Sequence, residues 1–412
     1  MIDYPPELDI IFKKLKQHEI KPVIVGGFVR DSLLQINSND IDIELYGVST
    51  LDEVENILQE FGDISSVGKS FGVCKLSFKN LDLDFSLPRI DKKNSQGHKG
   101  FKVTTHSNLE FKTAARRRDF TINAIGFDIQ EKKLLDPYNG IEDLKNRALH
   151  VVDKNSFIED PLRVLRAAQF SARFNLIAST ELITLCKEMI NNSLLNELPR
   201  ERIFDEIKKL LLKSSSVSIG FNLLKKMDAL KYFTELGSLT DSEWGSTLEY
   251  LNTMNRQRTD DKKSKLVLML TTTCNRLNKE KTLSFMSKLT NDKELIKKVL
   301  ALHESSLKTD ITNYQLYSKA ENVNLQELLT LSLVLHNDNI QEYKKIEERV
   351  IKLNILNKKM PAILQGRDLI ELGLKPSKEF SNILYTAYEA QKNELFKNHN
   401  EALVWLKEKL IT

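Results

Sequence analysis

The sequence is poor in cysteine and lacks any long apolar run. Its 412 residues include three cysteines, Cys74, Cys186 and Cys274. They are far apart and form no Cys-x-x-Cys pair, so we expect neither a disulfide framework nor a zinc site, and a reducing cytoplasm fits. No apolar run reaches the roughly 20 residues that span a membrane, and the first residues lack the apolar core of a signal peptide. We therefore expect a cytoplasmic protein with no membrane partner.

What is present is the composition of a globular protein, with 41% hydrophobic and 29% charged residues. The net charge of +4 permits a nucleic-acid partner without requiring one. A length of 412 residues predicts two to four domains. Strand and turn signals fill the chain from residue 20 to about residue 150, and amphipathic helical periods follow Asp153. The pattern predicts an α/β head followed by a long all-α remainder.

The segment from Val23 to Gly47 is the most informative part of the sequence. The apolar, β-branched run before Gly26 predicts a short strand. Gly26 and Gly27 allow a close approach of the backbone to a ligand because they carry no Cβ. The next residues, FVRDSLL, predict the first turns of a helix, whose N-terminal N–H groups would face an anion.

A second strand, DIDIELYG, alternates strictly between acidic and apolar residues, so Asp40, Asp42 and Glu44 share one face. Carboxylates two residues apart on a strand lie about 6–7 Å from each other and repel unless a cation lies between them. Mg²⁺ is usually bound through one or two carboxylates together with substrate phosphates. A solvated strand face would also explain a lone Asp-x-Asp, but the Gly-Gly turn and Arg30-Asp31 just upstream favour a nucleoside triphosphate held on metal.

Two further segments carry charged residues suited to a nucleotide. TAARRRDFTINAIGFD places Arg118 directly before Asp119; arginines pair bidentately with phosphate, and the adjacent carboxylate can orient them. The alternative is a solvated basic cluster. FIEDPLRVLRAAQFSARF predicts a helix start with Asp160 and Arg163 three residues apart, which would also suit a simple surface salt bridge. A carboxylate accepts and a guanidinium donates hydrogen bonds, so the pair could accept the N4/N3 edge of cytosine and the N6/N1 edge of adenine while refusing uracil and guanine.

Five motifs in this order resemble the class II tRNA nucleotidyltransferases and bacterial poly(A) polymerases, a family of polymerase-β-like nucleotidyltransferases. The motifs are GGFVRDSLL with DIDIE, RRRDFTINAIGFD, LLDPYNGIEDLKNR, EDPLRVLRAAQFSARF and ELPRERIFDEIKKLL. The resemblance is dense from about residue 20 to 212 and returns near residue 361. It implies a mixed sheet with flanking helices in the head, followed by an all-α neck, body and tail.

The resemblance also implies roles for individual residues. Asp40 and Asp42 would hold a catalytic Mg²⁺, and Asp84 is a candidate third carboxylate. The residues implied to contact the nucleotide are Gly26, Gly27, Arg30, Arg118, Asp119, Asp160, Arg163 and Arg166. Among these, the glycines and Arg30 would contact the triphosphate, while Asp160 and Arg163 would read the base edge. Gln169 stands where many relatives carry another arginine.

The implied domains are a nucleotidyltransferase head at 1–146, a nucleotide-selecting neck at 147–215, a helical body at 216–350 and a tRNA-binding tail at 351–412. Exposed basic side chains of the helices are candidates for gripping tRNA, although we interpret each as a solvated helix face. They are Lys208, Lys209, Arg202 and the lysines at 225–226. The oligomeric state is left open.

Three activities share these motifs: addition of CCA to tRNA from CTP and ATP, addition of part of that triplet, and poly(A) synthesis. The stretch Arg89–Val103, which we interpret as a mobile loop, resembles the loop that CCA-adding members keep, and Val67–Leu76 lacks the arginine-rich form expected of poly(A) polymerases. Both features favour CCA addition. A catalytically dead RNA-binding relative is a further alternative, against which Asp40 and Asp42 argue. None of the seven histidines is followed by aspartate, so we expect no metal phosphohydrolase activity.

Overall fold

The computed structural model describes residues 2–65, 72–93, 101–105, 109–259 and 261–411. The chain forms two compact units, Met1–Gly237 and Ser238–Thr412, which are described separately below. The finer division at residues 146, 215 and 350 stays a prediction.

The first unit contains a seven-stranded sheet in the order β3-β4-β5-β2-β1-β8-β9. Strands β2 and β5 run parallel to each other, and the other neighbouring pairs are antiparallel. A two-stranded sheet, β10-β11, lies outside it. The strands are β1 (Lys21–Val25), β2 (Asp40–Tyr46), β3 (Ile64–Ser65), β4 (Val73–Phe78), β5 (Leu81–Ser86), β6 (Arg89–Lys93), β7 (Phe101–Thr105), β8 (Gly126–Asp128), β9 (Lys133–Leu135), β10 (Ala148–Leu149) and β11 (Ile177–Ala178).

The alternation in β2 determines which of its faces enters the core. Ile41, Ile43 and Leu45 are fully buried, so the acidic residues between them share the opposite face, as the sequence predicts. Strand β1 lies between β2 and β8 in the sheet, and Val23, Ile24 and Val25 are all buried. The predicted α/β head is therefore confirmed.

The expectation of a loop from Arg89 to Val103 is wrong at both ends. Arg89–Lys93 and Phe101–Thr105 pair as an antiparallel hairpin, β6-β7, with Arg89 opposite Thr105. Backbone pairing between the two segments satisfies their N–H and C=O groups, which the polar composition did not reveal. The SQGHKG part of the predicted loop lies outside the described residues, as do residues 67–71 of the Val67–Leu76 stretch.

Helices surround the sheet and form the rest of the first unit. Asp136 of the third motif has a structural role. Its carboxylate accepts hydrogen bonds from the backbone N–H groups of Gly140 (2.7 Å) and Ile141 (2.9 Å), where the helix Gly140–Lys145 begins. The helices are α1 (Asp9–Gln17), α2 (Gly27–Leu33), α3 (Leu51–Leu58), α4 (Phe111–Ala115), α5 (Gly140–Lys145), α6 (Lys154–Ile158), α7 (Leu162–Phe174), α8 (Thr180–Asn191), α9 (Arg200–Lys213), α10 (Val217–Lys226) and α11 (Thr234–Gly237).

The described part of the second unit consists of helices and their connections. Its last three helices share an apolar cluster that includes Leu369, Ala387 and Leu406. The helices are α12 (Asp241–Arg256), α13 (Lys262–Thr273), α14 (Lys279–Leu289), α15 (Lys293–His303), α16 (Asn313–Ala320), α17 (Leu325–Leu335), α18 (Ile340–Lys352), α19 (Gly366–Glu371), α20 (Glu379–Lys392) and α21 (His399–Ile411). The predicted all-α remainder is confirmed. In the part of the chain that the structure describes, no helix has both the length and the apolar character needed to cross a bilayer.

Candidate active site

Three aspartates lie side by side on the two parallel strands of the sheet. Asp40 and Asp42 lie on β2, and the register places Asp42 opposite Val25 on β1 and opposite Asp84 on β5. The Asp84 carboxylate is bound by Lys75, whose Nζ lies 2.6 Å from Oδ2. The structure thus brings the candidate third carboxylate to the pair, but with its charge already paired with a lysine.

The two β2 carboxylates Asp40 and Asp42 both have raised pKa values. Burial raises the pKa of Asp40, and the neighbouring Asp84 raises it further. Burial likewise raises the pKa of Asp42, with Asp40 and Asp84 adding to the effect and Arg118 opposing it. Within the described residues no group of three or more His, Cys, Asp or Glu side chains is arranged to hold a metal. A carboxylate pair still fits a divalent cation that takes its remaining ligands from phosphate and water.

Gly26 is required by the backbone and by its neighbours. Its φ of +72° lies in the left-handed region, and a Cβ there would lie 2.5 Å from Nη1 of Arg118 and 3.7 Å from Oδ2 of Asp42. A Cβ at Gly27 would meet only Nη2 of Arg30, at an ordinary 3.6 Å. The Gly-Gly turn therefore makes room for the Arg118 side chain beside Asp42 of β2.

The Arg30 side chain is buried and held by the protein. Its guanidinium donates to Asp31 Oδ1 from Nε (2.7 Å) and Nη2 (2.6 Å), and Nη1 donates to the Asn123 side chain. It also lies 5.1 Å from the ring centroid of Phe170 and 4.6 Å from that of Phe174. Contact of Arg30 with a triphosphate stays a prediction, since much of its hydrogen-bonding capacity is used inside the protein.

The RRRD run distributes its charges among several carboxylates. Arg116 is exposed and pairs with Asp153, as a solvated basic residue would. Arg117 and Arg118 instead reach the buried Glu44, with Nη2–Oε1 distances of 2.9 and 3.2 Å. Burial raises the pKa of Glu44, but Arg118 and Arg117 outweigh it and hold that pKa below its ordinary value. Glu44 therefore remains charged, and it anchors the two arginines.

Asp119, in the segment that follows α4, and Arg166 of α7 form an ion pair in which the aspartate is buried and the arginine is partly exposed. Asp119 Oδ2 accepts hydrogen bonds from Arg166 Nε (2.7 Å) and lies 2.6 Å from Nη2. Its Oδ1 accepts from the Asn123 side chain and from the Phe120 N–H, both at 2.9 Å. Burial raises the pKa of Asp119, but Arg166 and Arg163 lower it below its ordinary value overall. Asp119 of the second motif thus orients Arg166, the second arginine of the fourth motif.

Asp160 and Arg163 lie close in sequence but bind different partners. Asp160 Oδ2 pairs with Arg202 Nη2 at 3.3 Å, and its Oδ1 accepts from the Leu162 N–H at 3.1 Å. Arg163 donates to the backbone carbonyls of Ser156 (2.6 Å) and Arg117. The simple surface salt bridge between Asp160 and Arg163 is therefore not what the structure shows.

A cavity of about 410 Å³ collects most of the predicted nucleotide contacts. Its lining residues are Gly27, Arg30, Asp42, Arg117, Arg118, Asp119, Asn123, Asp160, Arg163, Arg166 and Phe170. Asp40, Gly26 and Gln169 do not line it, and Gln169 is buried, with no acceptor for its Nε2 among the described residues.

Several residues of this site are missing from the sequence prediction. Arg117, Asn123 and Phe170 lie inside recognised motifs, but no local pattern distinguishes them from their neighbours. Glu44 was visible as the third acidic residue of its strand. Arg202 carried no signal beyond its place on a basic helix.

Two parts of the chain match known family models. Residues 23–150 match the family model described as the poly A polymerase head domain, and residues 179–238 match the one described as the probable RNA and SrmB-binding site of polymerase A. A CCA-adding enzyme of Francisella tularensis subsp. tularensis is 37% identical over 215 residues, which are 52% of this chain and 56% of that protein. The chain spans about half the length of the curated relatives it matches.

Solved structures resemble the chain over almost its whole length. The Bacillus stearothermophilus CCA-adding enzyme in complex with CTP superposes with a TM-score of 0.75 at 22% identity, covering 99% of this chain and 98% of that one. The Thermotoga maritima CCA-adding enzyme complexed with tRNA_CCA gives a TM-score of 0.68 at 20% identity, covering 99% and 96%. The fold is therefore that of CCA-adding enzymes, and the resemblance to the tRNA nucleotidyltransferase and poly(A) polymerase family is confirmed.

Proposed function

We propose that this protein adds C, C and A to the 3′ end of tRNA from CTP and ATP without a template, releasing pyrophosphate. The observation that carries the proposal is the single cavity shared by Asp42, Arg118, Asp160 and Arg163. It joins groups suited to a metal-bound triphosphate with groups suited to a base edge. The relatives and solved structures named as CCA-adding enzymes support the same reaction.

In the proposed reaction, the tRNA 3′-hydroxyl attacks the α-phosphate of the nucleotide. Asp40 and Asp42 would hold Mg²⁺, which when bound would activate the attacking oxygen and neutralise developing charge. Arg118 and Arg117 bind the phosphates with the N–H groups that Glu44 does not use. A guanidinium fork matches phosphate oxygens, and fixed donors aimed at developing charge lower the barrier.

The base end of the cavity carries the proposed selectivity. Asp160 accepts a hydrogen bond from the amino group of cytosine or adenine, and Arg163 donates to the adjacent ring nitrogen. Uracil and guanine present the reverse order of donor and acceptor on that edge. Their acceptor would face the Asp160 carboxylate and their donor would face the Arg163 guanidinium. The Arg202 guanidinium restricts the orientation of the Asp160 carboxylate, and Arg166 is proposed to contact the nucleotide.

The tRNA is proposed to bind the helical regions by shape and phosphate contacts. Three of the candidate basic residues are engaged with carboxylates: Arg202 with Asp160, Lys208 with Asp205 and Lys209 with Glu206. These pairings support solvated or structural roles for these three residues. The tail at 351–412 stays the proposed tRNA-binding part. A cytoplasmic location is also proposed, which the buried, free cysteines support.

The deciding experiment supplies tRNA that lacks its 3′ CCA with labelled CTP and ATP, separately and together. We expect two additions with CTP, three with both nucleotides and none with ATP. A stop after the two cytidines in the presence of both would favour the partial-adding alternative. Long tails from ATP would favour a poly(A) polymerase. No addition by folded protein that still binds tRNA would favour the inactive RNA-binding alternative.

A further inference from the structure

We propose that Glu44 is a positioning residue that holds Arg117 and Arg118 in the orientation in which they bind the nucleotide's phosphates. The inference rests on the proposed function, because it concerns the nucleotide site of that reaction. Glu44 lies on β2, two residues beyond Asp42, and it is fully buried.

One glutamate oxygen serves both arginines. Glu44 Oε1 accepts from Arg117 Nη2 at 2.9 Å and from Arg118 Nη2 at 3.2 Å, and Oε2 accepts from the Tyr46 hydroxyl at 3.0 Å. A buried carboxylate is stable only with such charged partners. The glutamate is therefore committed to the arginines and does not face a metal or substrate itself.

This anchoring holds both guanidinium groups at the lining of the cavity. Arg118 Nη1 donates to the Asn123 carbonyl at 3.2 Å and lies beside the Gly26 turn, and both arginines line the cavity together with Asp42. A free arginine side chain carries about 2 kcal/mol of rotamer entropy. Because Glu44 already holds one edge of each guanidinium, part of this entropy is lost on folding and does not oppose phosphate binding.

A neutral residue would not replace Glu44. Two guanidinium groups bound to one oxygen repel each other, and the glutamate charge offsets that repulsion. Without it, Arg118 would turn toward Asp42, the carboxylate that already lies across the Gly26 turn from it. Arg118 would then compete with the proposed Mg²⁺ for the Asp42 carboxylate. The phosphates would have one hydrogen-bond donor group fewer.

The test compares Glu44→Gln with Glu60→Gln in the full chain. Glu60 is an exposed carboxylate of the same unit, paired with Lys14, so its change removes the same charge away from the site. Binding of ATP, CTP and inorganic tripolyphosphate is measured by calorimetry with Mg²⁺ and without tRNA. We expect E44Q to raise all three dissociation constants together by about 10- to 100-fold, and E60Q to leave them unchanged.

A folded E44Q protein that binds tripolyphosphate as tightly as E60Q would overturn the proposal. If E44Q does not fold, Tyr46→Phe decides: it removes the hydroxyl that orients Glu44, so an about threefold loss of tripolyphosphate binding is expected, and unchanged binding overturns the proposal. A wild-type protein whose tripolyphosphate binding is weakened by E44Q, but which adds nothing to tRNA, would refute the proposed function and leave this inference standing.

Discussion

Asp160 and Arg202 form an ion pair between the start of α7 and the first turn of α9, with an Oδ2–Nη2 distance of 3.3 Å between residues 42 positions apart. Asp160 precedes α7, and Arg202 lies in the first turn of α9. The pair connects the fourth motif with the fifth. It also explains how an aspartate can keep one orientation at the mouth of a cavity, because its other oxygen is held by the Leu162 N–H.

The first prediction concerns this ion pair. Arg202→Gln should release the Asp160 carboxylate, so that misincorporation of UTP relative to CTP rises by about three- to tenfold while tRNA binding changes little. Lys208→Gln is the matched control, since it removes one charge from the same helix. Single-nucleotide addition assays with each triphosphate provide the measurement. Equal selectivity in the two variants would show that the Asp160–Arg202 pair does not orient the base contact.

The second prediction concerns Arg163. Arg163→Ala should lower discrimination against UTP and GTP by about 10- to 100-fold, because a donor to the base edge is lost. The same change removes hydrogen bonds to the Ser156 and Arg117 carbonyls, so thermal unfolding is measured beside the kinetics. If activity falls equally with all four nucleotides, Arg163 only stabilises the fold through the Ser156 and Arg117 carbonyls and does not contact the base.

The third prediction concerns Asp42, a proposed metal ligand on β2. Asp42→Ala should lower nucleotide addition by at least about a hundredfold, because the proposed metal loses a ligand and the phosphates lose its charge. Binding of tRNA, measured by gel shift, should be retained. The exposed Asp63 offers a control in the same unit, and Asp63→Ala should keep full activity. Activity surviving in D42A would refute the metal assignment.

The sequence predicted the strand and the turn of this site, but not which side chains contact each other in it. Alternation in β2 and the Gly-Gly turn are local patterns, and the structure bears out the strand, the turn and the shared face of Asp40 and Asp42. Glu44 and Arg117 are 73 residues apart and meet only when the sheet folds. No spacing rule identifies such a pair. The same holds for Asp160, whose predicted neighbour was three residues away and whose observed partner lies on another helix.

The hairpin β6-β7 is a polar stretch whose composition wrongly predicts a loop. Gly and Lys between strands usually indicate a loop, but Arg89–Lys93 and Phe101–Thr105 each find a strand partner in the other. Strand pairing depends on a second segment, so it is invisible to composition. The helical remainder was predictable because amphipathic periods repeat along each helix without reference to its neighbours.

The fourth prediction is a pH dependence of stability. Burial and the neighbouring carboxylates raise the pKa of Asp42 in the folded protein above its ordinary value of 3.8. The folded state then binds a proton more readily than the unfolded state, so this contribution is fully present below the unfolded pKa and is lost as pH rises through the folded pKa. Asp42→Asn should therefore raise the thermal unfolding temperature of the metal-free protein at neutral pH, with the gain shrinking as the pH falls through the folded pKa and disappearing below the unfolded pKa of about 3.8. A destabilised D42N at neutral pH would contradict this.

The last prediction uses the Gly26 turn. Gly26→Ala forces an L-residue to a φ of +72° and places a Cβ 2.5 Å from Arg118 Nη1, so the guanidinium must move. We expect a loss of about 1–3 kcal/mol in unfolding free energy together with a higher KM for both CTP and ATP, since the displaced arginine no longer meets the phosphates. Gly245→Ala is the control: a Cβ there meets nothing within 4 Å inside helix α12, so it should stabilise by up to about 1 kcal/mol. Denaturant unfolding and steady-state kinetics measure the two effects separately. A G26A protein that is destabilised but keeps its KM would show that the turn serves the fold and not the placement of Arg118.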